Sequence, residues 1–179
     1  MSMEKPQHWR QSGLKLLWLS ALIVVLDQAT KFWITHNLVY MVDRIEVLPF
    51  FDIIYVLNPG AAFSFLSDQS GWQRWFFALL AIVISAVLAV MLRKQPQSLW
   101  RVNVAFALII GGAIGNVVDR IRIGAVVDFL DIHYQGWHWP AFNIADSAIV
   151  CGALLMILDG VLSYLEERKA AAVKDNNHE

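Results

Sequence analysis

Long apolar runs dominate the chain and set the elements that its sequence predicts. Crossing the roughly 30 Å hydrocarbon core of a bilayer takes about 20 mostly apolar residues in a helix. Residues 75–92 and 102–118 carry no charge and come close to that length. Residues 142–165 also qualify if the helix holds Asp146 near its start and Asp159 near its end. The pattern therefore predicts three membrane-spanning helices from about residue 75 onward.

A fourth span is predicted near the N-terminus, where the uncharged run is short. Residues 16–26 carry no charge but cannot cross a bilayer alone, so the helix must continue past Asp27 and Lys31 to about Ile34. A basic lead followed by a short apolar run is also typical of a cleaved signal peptide. No small-residue cleavage pattern follows, however, and Asp27-Gln28 occupies the place where it would lie. We therefore interpret the segment as an uncleaved first span.

The segment between the first two spans has strand character. Residues 44–57 are rich in Ile, Val, Phe and Tyr and end at the turn sequence Asn58-Pro59-Gly60, which favours a small strand pair. The sequence thus predicts an all-α membrane protein with four transmembrane helices and a small extracytoplasmic β-sheet element. Its predicted parts are a cytoplasmic N-terminal lead (1–13), a four-span domain (14–165) with outer loops at about 35–71 and 121–141, and a cytoplasmic tail (166–179).

The distribution of basic residues predicts the orientation. Cytoplasmic segments of membrane proteins carry an excess of Lys and Arg. Here these residues concentrate in the lead, in the link between the second and third spans, and in the tail: Lys5, Arg10, Lys15, Arg93, Lys94, Arg101, Arg168, Lys169 and Lys174. Both termini are therefore expected in the cytoplasm, with the two long loops outside.

Composition narrows the class of protein further. Hydrophobic residues make up 58% and charged residues 16% of the 179 residues, against roughly 45–50% and about 25% in soluble domains. This excludes disorder and argues strongly against a water-soluble monomer. A net charge of −1 gives no reason to expect nucleic acid as a partner. The single cysteine excludes an internal disulfide and multi-cysteine zinc sites, and the five histidines show no ligand spacing, so no metal is expected.

Polar residues are concentrated at the outer ends of the predicted spans. Ionisable residues at bilayer depth are costly and are therefore functional candidates by default. The set comes from four separate segments: Asp27; Asn116, Asp119 and Arg120; Asp128 and Asp131; Asn143 and Asp146. Asn116, Asp119 and Arg120 share one helix face because they stand at i, i+3 and i+4.

Each member of this set also has a structural interpretation. Asn143 with an acid three residues later is typical of a helix N-cap. Asp27 and Lys31 have the i, i+4 spacing of an ion pair, and Asp119 with Arg120 could be a second pair. The glycine-rich run 111–115 indicates close helix packing more than a ligand loop. These interpretations do not explain Asp128, which follows two valines in an apolar stretch.

Two acids held together in a poorly solvated site share one proton, because both cannot ionise readily. Such a pair can deprotonate water while its protonated member polarises a carbonyl. Asp128 and Asp146 are the candidates. On spacing alone, a proton or cation transporter explains the acids equally well, although it predicts polar residues through the whole membrane depth and an internal repeat, and neither is visible. A structural subunit of a membrane complex is a third possibility.

Several blocks of residues together resemble a known family. They are Asp27-Gln28-x-Thr30-Lys31, Asn58-Pro59-Gly60-Ala61-Ala62-Phe63, Gly111-Gly112-Ala113-x-Gly115-Asn116-x-x-Asp119-Arg120, Val126-Val127-Asp128-Phe129-x-Asp131 and Phe142-Asn143-x-Ala145-Asp146. In this order, over about residues 14–165, the blocks resemble the lipoprotein signal peptidases of bacteria (signal peptidase II). The resemblance implies an aspartic endopeptidase of the inner membrane that cuts prolipoproteins just before a diacylglyceryl-modified cysteine.

The resemblance also implies roles for individual residues. Asp128 and Asp146 would be the catalytic pair. Residues that contact substrate or orient the acids would be Asn58, Asn116, Arg120 and Asn143. Asp27 and Asp119 would be supporting residues, with Asp119 bracing Arg120, and the outer-loop strands would cover the cleavage site. Neither cofactor nor metal is implied, the partners are prolipoprotein substrates and membrane lipid, and a monomer is expected.

Overall fold

The computed structural model describes residues 11–60 and 71–176, with side chains described as far as residue 172. The predicted basic residues Lys5 and Arg10, the motif residues Ala61, Ala62 and Phe63, and the last three residues of the tail lie outside the described residues. Within the described ranges, four helices are long and apolar enough to cross a membrane. This agrees with the four predicted spans.

The four helices follow the predicted apolar runs and extend beyond them. Their bounds are α1 Leu17–Asn37, preceded by a 3₁₀ turn Gly13–Leu16; α2 Trp72–Lys94; α3 Trp100–Arg122; and α4 Ile144–Asn176. Helix α4 continues through most of the predicted cytoplasmic tail. Ala, Glu, Lys and Arg are strong helix formers, so this segment extends the apolar helix, and its side chains are exposed as far as residue 172.

Helix α3 is the central helix of the bundle. Of the stretch of α3 that is apolar enough to cross a membrane, 67% is buried inside the protein, against 17% or less for the corresponding stretch of each other helix. Glycines make this packing possible, because a Cβ at Gly112 would meet the backbone carbonyl of Ala145 on α4, and one at Gly111 would lie 2.9 Å from the carbonyl oxygen of Ser20 on α1. The prediction that the glycine run is a packing face is confirmed.

A four-stranded antiparallel sheet lies at one end of the bundle, in the order β1-β2-β3-β4. The strands are β1 Arg44–Leu48, β2 Phe51–Asn58, β3 Val126–Tyr134 and β4 Trp137–His138. Strands β1 and β2 form the predicted strand pair. Strand β3 was not predicted from the sequence pattern, although its start, Val-Val-Asp-Phe, is rich in residues that favour strands.

The sheet is attached to the helices through a small apolar core. Ile34 near the end of α1 packs with Val127 and Phe129 of β3, and all three are at least 96% buried. The chain before α4 also pairs with β3, since the backbone carbonyl of Phe142 accepts hydrogen bonds from Phe129 (3.0 Å) and Leu130 (2.9 Å). As a result, the start of α4 lies directly beside the middle of β3.

Candidate active site

Asp128 lies on β3, and its carboxylate is held by two asparagine amides. The residue is only 2% exposed. The Nδ2 group of Asn143 donates to Asp128 Oδ1 at 2.7 Å, and the Nδ2 group of Asn58 donates to Asp128 Oδ2 at 3.1 Å. Asn58 ends β2, where it also caps the predicted turn by accepting a hydrogen bond from the Gly60 amide at 2.9 Å. Gly60 has φ +99°, a conformation that favours glycine.

Asn143 connects the sheet to the start of α4. Its Oδ1 atom accepts a hydrogen bond from the backbone N–H of Asp146 at 2.9 Å, so Asn143 is the N-cap of α4, as the sequence predicts. Because the oxygen is used by the cap, the amide nitrogen faces Asp128 and the carbonyl of Val127. One side chain therefore starts the helix that carries Asp146 and also binds Asp128.

Asp146 is bound by the neighbouring central helix. The Nδ2 group of Asn116 on α3 donates to Asp146 Oδ1 at 2.7 Å, and Asn116 Oδ1 accepts a weaker hydrogen bond from Asn143 Nδ2 at 3.3 Å. Asp128 and Asp146 are thus linked through two asparagine amides, and each carboxylate receives at least one N–H donor. The two acids and the three asparagines of the predicted site lie in one connected network.

The environment of Asp128 opposes ionisation. Burial is the main cause, and the nearby Asp146 carboxylate adds to it, so the pKa of Asp128 is raised from its ordinary 3.8 to about 6. The hydrogen bonds from Asn58 and Asn143 and the charge of Lys31 act in the opposite direction without cancelling the rise. Asp128 therefore holds a proton to a higher pH than an exposed aspartate would.

Next to Asp128 and Asp146, a group of buried charged side chains lies between α1 and α3. The ammonium of Lys31 lies 2.9 Å from Asp27 Oδ2 and 2.8 Å from Asp119 Oδ2, and all three side chains are at most 5% exposed. The predicted ion pair of Asp27 with Lys31 is confirmed. Asp27 also accepts a hydrogen bond from the backbone N–H of Ala145 at 3.0 Å, which ties α1 to the start of α4.

The contacts of Asp119 differ from the predicted bracing of Arg120. Besides Lys31, its carboxylate accepts hydrogen bonds from Gln28 Nε2 at 2.9 Å and from the backbone N–H of Val127 at 3.2 Å, so it supports α1 and β3. The two residues are adjacent on one helix and point in different directions. Arg120 instead contacts the backbone carbonyl of Asn116 at 3.4 Å and lies with its guanidinium 5.5 Å from the ring centre of Phe77.

Arg120 retains donor capacity beside the acids. Its Nε atom is buried and makes no hydrogen bond within the part of the chain that the structure describes. A guanidinium carries five N–H donors and no acceptor, so the group can bind a carbonyl or carboxylate oxygen of another molecule. This leaves Arg120 suited to contact a substrate.

Two further buried acids lie along the sheet and are separate from this network. Asp52 lies 3.2 Å from Arg44 and 3.0 Å from His133. Asp131, which the sequence predicts to belong to the polar cluster, lies 2.9 Å from His138. Each acid therefore has a basic partner of its own within the sheet. Among the described residues, no group of three or more His, Cys, Asp or Glu side chains is arranged to hold a metal ion.

An apolar cavity of about 710 Å³ opens beside Asp146. Trp137, Trp139 and Phe142 line it from the sheet side, and Val150 lines it from α4. Val150 is 56% exposed on a helix that is apolar enough to cross a membrane, so the cavity lies open to the lipid-facing surface of the bundle. A bound apolar chain could therefore reach one of the two acids from the side of the bilayer.

Lys31 and Gln28 are further members of the polar network that the sequence pattern does not predict as site residues. Both belong to the Asp-Gln-x-Thr-Lys block, in which the spacing predicts Lys31 only as a partner of Asp27. The i, i+4 spacing identifies a partner on the same helix, but contacts across helices, such as Lys31 with Asn116 at 3.0 Å, depend on how α1 and α3 pack. No pattern along the chain indicates them.

Four membrane-length helices, with a buried carboxylate on the sheet and a half-buried one at the start of α4, define a helical integral membrane protein with an acidic site at one end of its bundle. A family model described as "Signal peptidase (SPase) II" matches residues 19–162. The chain therefore belongs to the signal peptidase II family, the lipoprotein signal peptidases. Membership makes it a protease of lipoprotein processing, and with its four apolar helices it fits a multi-pass protein of the bacterial inner membrane.

Individual relatives agree with this assignment. The chain is 49% identical over 170 residues to the lipoprotein signal peptidase of Shewanella halifaxensis, covering 95% of this chain and 99% of that protein. It is 53% identical over 164 residues to that of Shewanella loihica, covering 92% and 94%. A bacterial membrane enzyme solved by the in meso method at 2.3 Å resolution has a similar fold, with a TM-score of 0.73 at 34% identity, covering 84% of this chain and 89% of that one.

Proposed function

We propose that this lipoprotein signal peptidase is an aspartic endopeptidase that cuts diacylglyceryl-modified prolipoproteins just before the lipidated cysteine, with Asp128 and Asp146 as its catalytic pair. The observation that carries the proposal is the buried, amide-bound position of Asp128, whose pKa of about 6 is raised by burial and by Asp146. A carboxylate pair that shares a proton near neutral pH can act as acid and base in one step.

The chemistry follows from this shared proton. The ionised carboxylate removes a proton from water, and the oxygen of that water attacks the carbonyl carbon of the scissile peptide bond. The protonated carboxyl donates to the carbonyl oxygen as the tetrahedral intermediate forms. The intermediate then collapses, the bond between carbon and nitrogen breaks, and the amine of the cysteine leaves with a proton from the pair.

The other polar residues of the site have supporting roles in this proposal. Asn58, Asn116 and Asn143 hold the two carboxylates in place through the hydrogen bonds described above. Arg120 contacts the substrate backbone through its Nε donor, which makes no hydrogen bond to any of the described residues and lies next to the acids. Asp27 and Asp119 maintain the helix packing beneath the pair, and no step requires a cofactor or a metal ion.

Substrate delivery explains why the site lies at one end of the bundle. A diacylglyceryl-modified cysteine is held at the membrane surface by its acyl chains, so bilayer partitioning supplies much of the binding free energy. The apolar cavity beside Asp146 suits the apolar part of such a substrate.

The bias of Lys and Arg toward the other end of the bundle supports an orientation with both termini in the cytoplasm and the site at the outer face. All proposed site residues come from one chain, so we propose that a monomer is active.

Cleavage by the purified protein in detergent tests the proposal. One lipobox peptide carries the diacylglyceryl group on cysteine, and a matched peptide lacks it. We expect cleavage of the lipidated peptide alone, before the cysteine, with Asp128→Asn and Asp146→Asn each inactive although folded, because each variant removes one member of the pair. Glu166→Gln, which changes an exposed acid of the terminal segment of α4, is the matched control. Substantial cleavage by either purified aspartate variant would disprove the dyad.

A further inference from the structure

Lys31 is a buried cation to which the proposed mechanism assigns no role. It is 3% exposed, and its ammonium contacts three acceptors: Asp27 at 2.9 Å, Asp119 at 2.8 Å and Asn116 Oδ1 at 3.0 Å. An ammonium has three N–H donors and no acceptor, so these contacts use its full capacity. Two of the acceptors are carboxylates that neutralise it, whereas the third belongs to the network that binds Asp146.

The contact between Lys31 and Asn116 determines which way the Asn116 amide faces. An asparagine amide has one carbonyl oxygen, which accepts, and one NH₂ group, which donates. Because the ammonium can only donate, the Asn116 oxygen must face Lys31. The NH₂ group then points to the other side, where it donates to Asp146 Oδ1 at 2.7 Å.

Asn143 supports the same orientation but more weakly. Its NH₂ group also donates to Asn116 Oδ1, at 3.3 Å, while its shorter hydrogen bond of 2.7 Å goes to Asp128. Without Lys31, the Asn116 amide would keep only this long contact. A rotation of the amide would then place its oxygen against Asp146, where it would repel the carboxylate and accept a hydrogen bond from the protonated acid.

We propose that Lys31 is a positioning residue for peptide cleavage: it holds the oxygen of Asn116 so that the amide NH₂ stays on Asp146 and the ionised form of the catalytic pair is retained. The inference rests on the proposed function, since it assumes that Asp128 and Asp146 form that pair. Lys31 itself touches neither acid: its charge acts on Asp128 from a distance, and its hydrogen bond acts through Asn116.

A purely structural ion pair is the competing explanation, and it makes a different prediction. The charged groups near Lys31 and Asn116 are Asp27 on α1, Asp119 and Arg120 on α3, Asp128 on β3 and Asp146 on α4. If Lys31 only neutralised Asp27 and Asp119, replacing it would reduce the amount of folded enzyme. The pH dependence of the remaining active molecules would then not depend on whether the new side chain can donate a hydrogen bond.

The experiment compares Lys31→Gln with Lys31→Met. The two side chains are of similar length and both remove the charge, but only Gln can donate an N–H to Asn116. We measure kcat/KM against pH with the lipidated lipobox peptide. Only in the Met variant is the Asn116 amide free to turn and give up its hydrogen bond to the ionised Asp146. The acid limb of the Met variant should therefore lie about one pH unit above that of the Gln variant. Coincident acid limbs in the two variants would overturn the inference.

Folding and the underlying function are controlled separately. Removal of the ammonium leaves two carboxylates unpaired, so both substitutions are repeated in an Asp27→Asn, Asp119→Asn background, which leaves no unpaired charge at this position. The same separation of acid limbs is expected there, and its absence would also overturn the inference. If Asp146→Asn remains active, the proposed function fails and the inference with it. If Asp146→Asn is inactive while the Gln and Met profiles coincide, only the positioning role fails.

Discussion

Asp128→Asn should stabilise the folded protein at neutral and alkaline pH while abolishing cleavage. The carboxylate is 2% exposed, and its pKa in the folded state is about 6, compared with 3.8 for an exposed aspartate. A folded-state pKa above the unfolded value means that the folded protein binds the proton more tightly. Ionisation of Asp128 therefore costs stability: the cost is absent below about pH 4, grows between pH 4 and 6, and is complete above pH 6.

The size of this cost follows from the two pKa values. A difference of about two pH units at 1.36 kcal/mol each corresponds to about 3 kcal/mol above pH 6. The asparagine variant has no charge and avoids this cost. It has one carbonyl oxygen for the two donors Asn58 and Asn143, however, so one hydrogen bond worth about 1 kcal/mol is lost at every pH. The variant should be less stable than the parent at pH 4 and more stable at pH 8.

Thermal melts of the purified protein in detergent measure this difference. Relative to the parent, Tm of Asp128→Asn should rise between pH 4 and pH 8 by about 6–12 °C, since 1 kcal/mol shifts Tm by about 2–4 °C in proteins of this size. Glu166→Gln is the control, because its side chain is exposed and removal of its charge changes no buried group. A Tm difference between Asp128→Asn and the parent that is the same at both pH values would refute the argument.

Two further variants test the packing beneath the site. Gly112→Ala would place a methyl group against the carbonyl of Ala145, so it should separate α3 from α4, lower the free energy of unfolding by about 1–3 kcal/mol and reduce cleavage. Gly160→Ala is the matched control, because a methyl group there meets nothing within 4 Å. Equal effects of the two variants on Tm and cleavage would contradict the expectation. Asp119→Ala leaves Lys31 paired with Asp27 but removes the acceptor of the buried Val127 N–H, and should lower the free energy of unfolding by about 1–3 kcal/mol; an unchanged melt would argue against this.

The stability cost at Asp128 and the proposed activity have the same physical origin. A carboxylate in contact with water would ionise near pH 4 and would hold no proton at neutral pH. Burial on β3 and the neighbouring Asp146 raise the pKa, which destabilises the ionised form and keeps a proton available to the pair. The asparagine amides limit the cost, because they provide hydrogen-bond donors without adding charge.

The sequence by itself determined the four membrane helices and much of the local structure at the site. Apolar length alone predicts the spans, because a helix must be long enough to cross the hydrocarbon core. The turn after β2 and the N-cap of α4 are local as well, since Asn58 and Asn143 bond to backbone groups two and three residues away. The Asp27–Lys31 pair follows from helical spacing. Each of these features depends on neighbours along the chain.

Only the tertiary structure decided how the polar residues are shared between elements. Asp119 could pair with Arg120 by its position in the sequence, yet it binds Lys31 because the glycines of α3 allow α1 to pack closely. Strand β3 places Asp128 beside β2 and the start of α4, where Asn58 and Asn143 bind it from two sides. The orientation of the Asn116 amide and the raised pKa of Asp128 likewise depend on burial and on partners distant in sequence. Such contacts are fixed by the packing of helices and sheet, and no periodicity along the chain encodes them.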